Sequence, residues 1–247
     1  AVMGRTLRVP VAHIEGGLRS GDLRNPFPEE LNRRLTSRIA AIHYAPGPWA
    51  AANLTRGTVV DTGSNTVRDS LELVPDGPPA GVDVPAGPYG VVSLHRFELL
   101  NSRPLLTATL RTIAEAAART PLFFVDHPVT VAAVDRFGLH GTLDVPGIRR
   151  IARLRFFEFV QLQRGCSFVV TDSGGSQEEC FYLDRPCLVH RAKTERIEGL
   201  GENVVLSRFD PEVVEAFLRD PGEHRRRTPL PELLPSGIIV DHLAAEG

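Results

Sequence analysis

Short apolar runs alternate along this chain with longer amphipathic stretches, and that alternation constrains the fold more than any single motif. Runs at 9–12, 41–45, 57–61, 90–94, 122–125, 167–171 and 186–190 read as strands. Few of them alternate polar with apolar residues, as expected of strands covered on both faces. Between them, 28–39, 48–56, 105–119, 131–137, 156–164, 176–182 and 211–218 read as helices. In the helix expected at 105–119, Leu106, Leu110, Ile113, Ala114 and Ala117 recur at helical spacing and predict one buried stripe. Strands separated by helices imply an α/β protein with parallel sheets.

A Pro- and Gly-rich stretch at 75–88 (PDGPPAGVDVPAGP) can continue neither a helix nor a central strand. It divides the chain into an expected first Rossmann-like domain at 1–74, a linker at 75–88, and a second, nucleotide-binding Rossmann-like domain at 89–235. The tail at 236–247 (IIVDHLAA after PSG) reads as a last helix and a candidate return to the first domain. The opening residues, a helix end at 1–7 followed by RVPVAH, suggest a chain that starts inside a βαβ unit, so a fragment with an incomplete first domain is expected.

Composition excludes several classes of protein. With 28 Lys and Arg against 30 Asp and Glu, the formal charge of -2 gives no ground for a nucleic-acid or anionic-membrane partner. No apolar run approaches the length of a bilayer span. Cys166, Cys180 and Cys187 form neither a CxxC pair nor a disulfide framework, which points to a reducing, cytoplasmic setting. There is no HExxH, no GxSxG and no complete GxGxxG, and His and Cys do not fall at metal-ligand spacings, so no metal is expected.

Three segments carry the chemistry. In VVTDSGGSQEE (169–179) a β-branched strand runs into a tight turn at Ser173, Gly174 and Gly175 and then a helix, whose free N–H groups suit a phosphate. Glu179 repels phosphate and suits sugar or ribose hydroxyls instead. The competing reading is a capping box from Ser176 to Glu179. In HIEGGLRSGDLRNPFPEELNRR (13–34) Glu15 follows a strand within a glycine loop. Glu29 and Glu30 open a helix behind Pro28, each four residues before an arginine, Arg33 or Arg34. That spacing would suit any surface helix, whereas an acidic loop with Arg19 and Asp22 is costly to order unless it holds a ligand. In LHRFE (94–98) a strand delivers His95 to the same carboxyl edge, and His127 repeats the arrangement after FFV. A ring nitrogen there could donate to a phosphate or a leaving oxygen. Arg196, in KTERIE, offers a planar fork for phosphate or an ordinary salt bridge.

Together with TGSNTVRD (62–69) and PSGIIVDHL (235–243), these segments resemble the UDP-N-acetylglucosamine 2-epimerase family. The resemblance implies two Rossmann-like domains in a glycosyltransferase-B-like arrangement, with the family's opening portion missing. It implies epimerisation at C2 of UDP-N-acetylglucosamine to UDP-N-acetylmannosamine by loss and re-addition of UDP, with no cofactor. Catalytic roles fall by similarity on Glu15, Glu29 and His95. Binding roles fall on Arg33, on His127, on Phe159 beside the uracil, on Ser173, Gly174 and Gly175 at the phosphates, on Glu179 at the ribose and on Arg196 at the diphosphate. A UDP-sugar and a second copy of the chain, as a homodimer, are the expected partners. Phe97 and Leu99 depart from the family's HRREN, and Ser64 interrupts its TGNT, which leaves open the substrate and whether the sugar is only epimerised. A hydrolysing relative releasing UDP and ManNAc, a glycosyltransferase of the same architecture, and an inactive nucleotide-sugar-binding remnant are the competing readings.

Overall fold

The computed structural model describes residues 1–23, 28–232 and 234–246. It divides into two compact units, Ala1–Leu73 with Pro229–Gly247, and Val74–Thr228.

The first unit is built on three parallel strands in the order β1 (Ala12–Ile14), β2 (Ile42–Ala45) and β3 (Thr58–Asp61). β1 starts three residues later than the run at 9–12 suggests, and just before it the carbonyl of Val11 already accepts the N–H of Ala41 and of Ile42. The helix Glu29–Ile39 connects β1 to β2. The closing helix Pro235–Glu246 docks on this unit, with the N–H of Ser236 donated to Asp69 at 2.7 Å and Tyr44 Oη 3.1 Å from Nδ1 of His242.

The second unit carries six parallel strands: β4 (Gly90–Ser93), β5 (Leu122–Asp126), β6 (Ile148–Ala152), β7 (Phe168–Thr171), β8 (Cys187–Val189) and β9 (Val204–Leu206). Their order, β6-β5-β4-β7-β8-β9, starts in the middle and grows first to one side and then to the other. The reversal falls between β4 and β7, which is where such sheets open a crevice for ligands. Both faces are covered, so each strand sorts its residues by twos. Val92, Leu122, Phe124, Val170 and Leu188 face one core, and Val91, Phe123, Val125, Val169 and Val189 face the other.

The helix Arg103–Ala117 covers the first of these cores. Leu106, Leu110, Ile113 and Ala117 are buried as the spacing predicts, but Ala114 is half-exposed and Thr109 takes a buried place instead. Thr109 donates to the carbonyl of Leu105 at 2.9 Å, and its hydroxyl lies 2.9 Å from Nε2 of His190. The Pro- and Gly-rich stretch lies within the second unit. Val82 and Val84 pack on its core, and Arg164 bonds the carbonyl of Val74 and the carboxylate of Asp76. The return to the first unit accordingly begins at Pro229, earlier than expected.

His190 is 3% exposed and meets two hydroxyls, Thr109 Oγ1 and Ser207 Oγ. Burial pushes its pKa down to about 4. The unfolded chain therefore takes up that proton first, near the ordinary value of about 6.5. The stabilisation from a neutral His190 is complete above that pH and is lost as the pH falls toward about 4. Urea unfolding should show stability falling across this window, and His190→Gln should remove part of the fall. A profile that the substitution leaves unchanged would contradict the assignment.

Candidate functional site

In the second unit the chain ends of β4 and β7 build the site together. β7 ends at Thr171, and Ser173 caps the helix Gly174–Tyr182 from an extended conformation, its Oγ accepting the N–H of Ser176 at a long 3.5 Å. The helix thus starts three residues before the capping-box reading places it, and Ser176 and Glu179 lie inside its first two turns. Gly174 has a steric reason to be glycine. A Cβ there would come 3.1 Å from Oε1 of Glu195 and 3.2 Å from Nε of Arg196.

Ser173, Gly175, Ser176, Glu179, His95, His127, Arg153 and Phe159 are among the residues that line one cavity of about 600 Å³. Six of the expected site residues are therefore together: His95, His127, Phe159, Ser173, Gly175 and Glu179. Gly174 opens the same helix from behind. Arg196 is placed otherwise: it is 7% exposed, ion-paired with Glu178, packed against Gly174, and absent from the cavity lining. Its charge sits behind the helix terminus.

Asp172, between β7 and its cap, is fully buried and joins the two strand ends. Its Oδ1 and Oδ2 accept the N–H of His95 at 2.9 and 2.8 Å, and Oδ2 also accepts that of Arg96 at 2.8 Å. Desolvation pushes its carboxyl up to about 6. The His95 ring tilts on that of His127 at 4.6 Å, and Nε2 of His127 is 3.0 Å from Oγ of Ser93. Burial first, then Arg96, Arg153 and Arg191, hold His95 down at about 4. Burial, with His95 next, lowers His127. Burial likewise raises Glu179 against the hydrogen bonds of Gln163 and Ser176. The cavity therefore presents neutral imidazoles, N–H groups of a helix start and one protected carboxyl. Such a set suits phosphate and hydroxyl groups.

The first unit holds Glu15, Glu29 and Arg33. Glu15 follows β1 at φ 60°, a conformation that a non-glycine residue holds only under constraint. The Nδ2 of Asn65 donates to its Oε1. The inserted Ser64 thus leaves Asn65 able to reach Glu15. Glu29 and Arg33 lie half-buried on the helix Glu29–Ile39. Of the two acidic residues that open this helix, Glu30 is the structural one. It is fully buried, accepts the N–H of Ser20 at 3.0 Å and pairs with Arg34 at 2.9 Å. Residues 24–27, with the Pro-flanked aromatic Phe27, lie outside the described residues. The departures in HRFEL are accommodated: Phe97 is exposed, and Leu99 is buried in the core.

Asp172, Asn65 and Arg153 were not singled out from the sequence. The first two stand inside quoted motifs, TDSGG and TGSNT, where an unassigned polar residue between a strand and a helix was the available signal. Nothing in the sequence around Arg153 marks it. Among the described residues no group of three or more His, Cys, Asp or Glu could hold a metal, and no helix is long and apolar enough to cross a membrane.

Sheet order, switch-point crevice and helix N-terminus define the class: a Rossmann-like α/β protein with anion-suited chemistry at the crevice. The family model for UDP-N-acetylglucosamine 2-epimerase matches residues 1–227, and the chain belongs to that family. It is 31% identical over 237 residues to the Bacillus subtilis UDP-N-acetylglucosamine 2-epimerase, covering 89% of this chain and 60% of the relative. It is 35% identical over 222 residues to the Yersinia pestis enzyme of the same name, covering 81% of this chain and 57% of the relative. Among solved structures, the Neisseria meningitidis UDP-GlcNAc 2-epimerase bound to UDP-GlcNAc matches with a TM-score of 0.83 at 25% identity. That match covers 99% of this chain and 72% of the other. The chain thus spans 60% and 57% of the length of the two relatives.

The loop that carries Glu15 depends on Gly17. At φ 88°, a Cβ on Gly17 would lie 2.0 Å from the carbonyl oxygen of Ala50. Gly17→Ala should therefore lower stability by about 2 kcal/mol or more in chemical denaturation, since both the conformation and the space are denied to alanine. A loss under about 0.5 kcal/mol would show that the loop repacks freely.

Proposed function

We propose that the protein to which this chain belongs interconverts UDP-N-acetylglucosamine and UDP-N-acetylmannosamine without net release of UDP. What supports this is the placement of His95, the Ser173 turn and Glu179 in one cavity, in a chain of this family. The backbone N–H groups of Gly174 and Gly175 and the hydroxyl of Ser173 receive the diphosphate, at a helix start behind which Arg196 is held by Glu178. Glu179 takes the ribose hydroxyls, Phe159 the uracil, and His127 packs beside His95. Glu15 and Glu29 handle the proton at C2, and Arg33 faces the sugar. A homodimer working in the cytoplasm completes the proposal.

The hydrogen at C2 of such a sugar is not acidic, so a simple carbanion route is unfavourable. In the proposed route one carboxylate takes the C2 proton while the C1–O bond breaks, its electron pair leaving on the β-phosphate of UDP. A C1–C2 double bond remains, giving 2-acetamidoglucal. UDP then re-adds at C1 as a proton is delivered to the opposite face of C2. The sum is redox-neutral. One carboxylate acts as the base that takes the C2 proton and the other as the acid that delivers one to the opposite face.

Incubation in deuterated water with either isomer should place deuterium at C2 of the product, and epimerised product without that label would sink the elimination route. Accumulation of free UDP and ManNAc would make the protein a hydrolysing epimerase instead. Glu15→Gln and Glu29→Gln keep size while removing the base, so kcat should drop by roughly 10²-fold or more with an unchanged unfolding transition. Near-normal turnover in either variant would return that residue to a structural role.

A further inference from the structure

Asp172 is used twice over by the backbone, yet one of its contacts has a different character. Its Oδ1 lies 3.4 Å from Nδ1 of His95, long for a hydrogen bond. That nitrogen is buried and has no hydrogen bond among the described residues. Oδ1 accepts a single backbone N–H at 2.9 Å, so one lone pair is left for the ring. With Nδ1 turned to Asp172 and the ring lining the cavity, Nε2 is the nitrogen that meets a ligand.

We infer that Asp172 is the positioning residue of His95: it keeps the proton of the neutral imidazole on Nδ1 and presents a bare Nε2 to the cavity, so that a diphosphate binds together with one proton. A neutral imidazole carries one N–H, and the oxygens of a phosphodiester are acceptors. A bare Nε2 and a phosphate oxygen therefore face each other lone pair to lone pair. One proton from solvent resolves this. On Asp172 it lets the carboxylic acid donate to Nδ1 and moves the ring proton to Nε2; on the ring it gives an imidazolium. Either way the pair rises in charge by one as the dianionic diphosphate arrives, and Nε2 becomes a donor.

The surroundings favour the first form. Arg96, Arg153 and Arg191 face His95 and oppose a charge on it, and burial acts the same way. Arg96 and Arg191 also face Asp172, where burial outweighs them and raises the carboxyl. His127 stands between the fields of His95 and Arg153 on one side and Asp172 and Asp126 on the other. The arginines keep their charge throughout, so the proton taken up belongs to the Asp172–His95 pair. The two groups titrate as a pair, and the binding profile reports the pair's apparent value.

The ligand half of this inference rests on the reading of the cavity as the nucleotide-sugar site; the tautomer does not. Nitrogen NMR of the unliganded chain at about pH 7.5 should show His95 protonated at Nδ1 and bare at Nε2, a form that neutral histidine in water does not favour. Calorimetric titration with UDP-GlcNAc, whose phosphates have no proton to exchange near neutrality, should show affinity rising as the pH is lowered from about 8. The rise should approach about tenfold per pH unit, with matching proton uptake in buffers of different ionisation heat, and level off near about 6. Asp172→Asn puts an NH2 group against Nδ1, so it should move the ring proton to Nε2 and flatten the profile. Wild-type His95 protonated at Nε2 at about pH 7.5, or wild-type affinity independent of pH, would overturn the inference. Failure of UDP-GlcNAc to bind at all would instead remove the nucleotide reading, and the NMR result would still decide the tautomer without any variant that has to fold.

Discussion

The carboxylate of Asp172 ties the two central strand ends of the second unit to each other. β4 and β7 are neighbours in register, Ser93 opposite Thr171, but past that pair the ladder ends and the chains diverge toward different helices. Beyond the last rung, Asp172 takes the N–H groups of His95 and Arg96 that no strand can accept. Left unmade, those buried donors would each cost about 1–3 kcal/mol. The same three bonds set where His95 leaves the sheet, and so how its ring lies relative to the Ser173 turn. A structural necessity of an open parallel sheet, the unpaired strand ends at its switch point, is met here by a group that also touches His95 of the cavity.

A comparable economy governs the first unit, with different means. There Glu30, fully buried, accepts the N–H of Ser20 and pairs with Arg34, so the helix Glu29–Ile39 holds the exit of the glycine loop. Gly17 lets that loop press on the carbonyl of Ala50, and Asn65 bonds the carboxylate of Glu15. Of two adjacent glutamates at one helix start, one is consumed by packing and the other is left half-buried. Which of them is which could not follow from spacing, since both have an arginine four residues on.

That distinction marks how far the sequence was legible. Strand ends at β2, β4, β5, β7 and β8 followed from apolar runs, because a strand buried on both faces needs nearly every side chain apolar, whereas β3 was found from TVVD although it is largely exposed. β6 did not, since Ile148–Ala152 reads IRRIA: at a sheet edge Arg150 can pair with Asp126 at 3.0 Å and Arg149 with Asp83 at 3.1 Å. β9, at the opposite edge, has only one fully buried residue, Val204, and was not read from the sequence. The turn at Ser173 was read as a ligand site, with a capping box at Ser176 as the competing reading; the cap is Ser173 itself. Gly174 and Gly175 are poor helix formers, yet here they are the first turn, where close approach matters more than propensity.

Arg196 shows why local pattern cannot settle a charged residue's role. Its motif offers a fork for phosphate, and its sequence neighbour Glu195 is an obvious partner. In the fold Glu195, 4% exposed, instead pairs with Arg191, 2% exposed, at 3.0 Å, while Arg196 pairs with Glu178 one turn into the phosphate-suited helix. Both pairs are buried, so removing one member of either would strand a charge. The helix that starts at Ser173 thereby has Glu195 and Arg196, each already paired, packed behind Gly174, and the N–H groups of Gly174 and Gly175 stay available in front. A terminus open in front offers an anion its first N–H groups and the positive end of the helix dipole. The steric demand on Gly174 follows from this arrangement, since Glu195 and Arg196 fill the space its side chain would take.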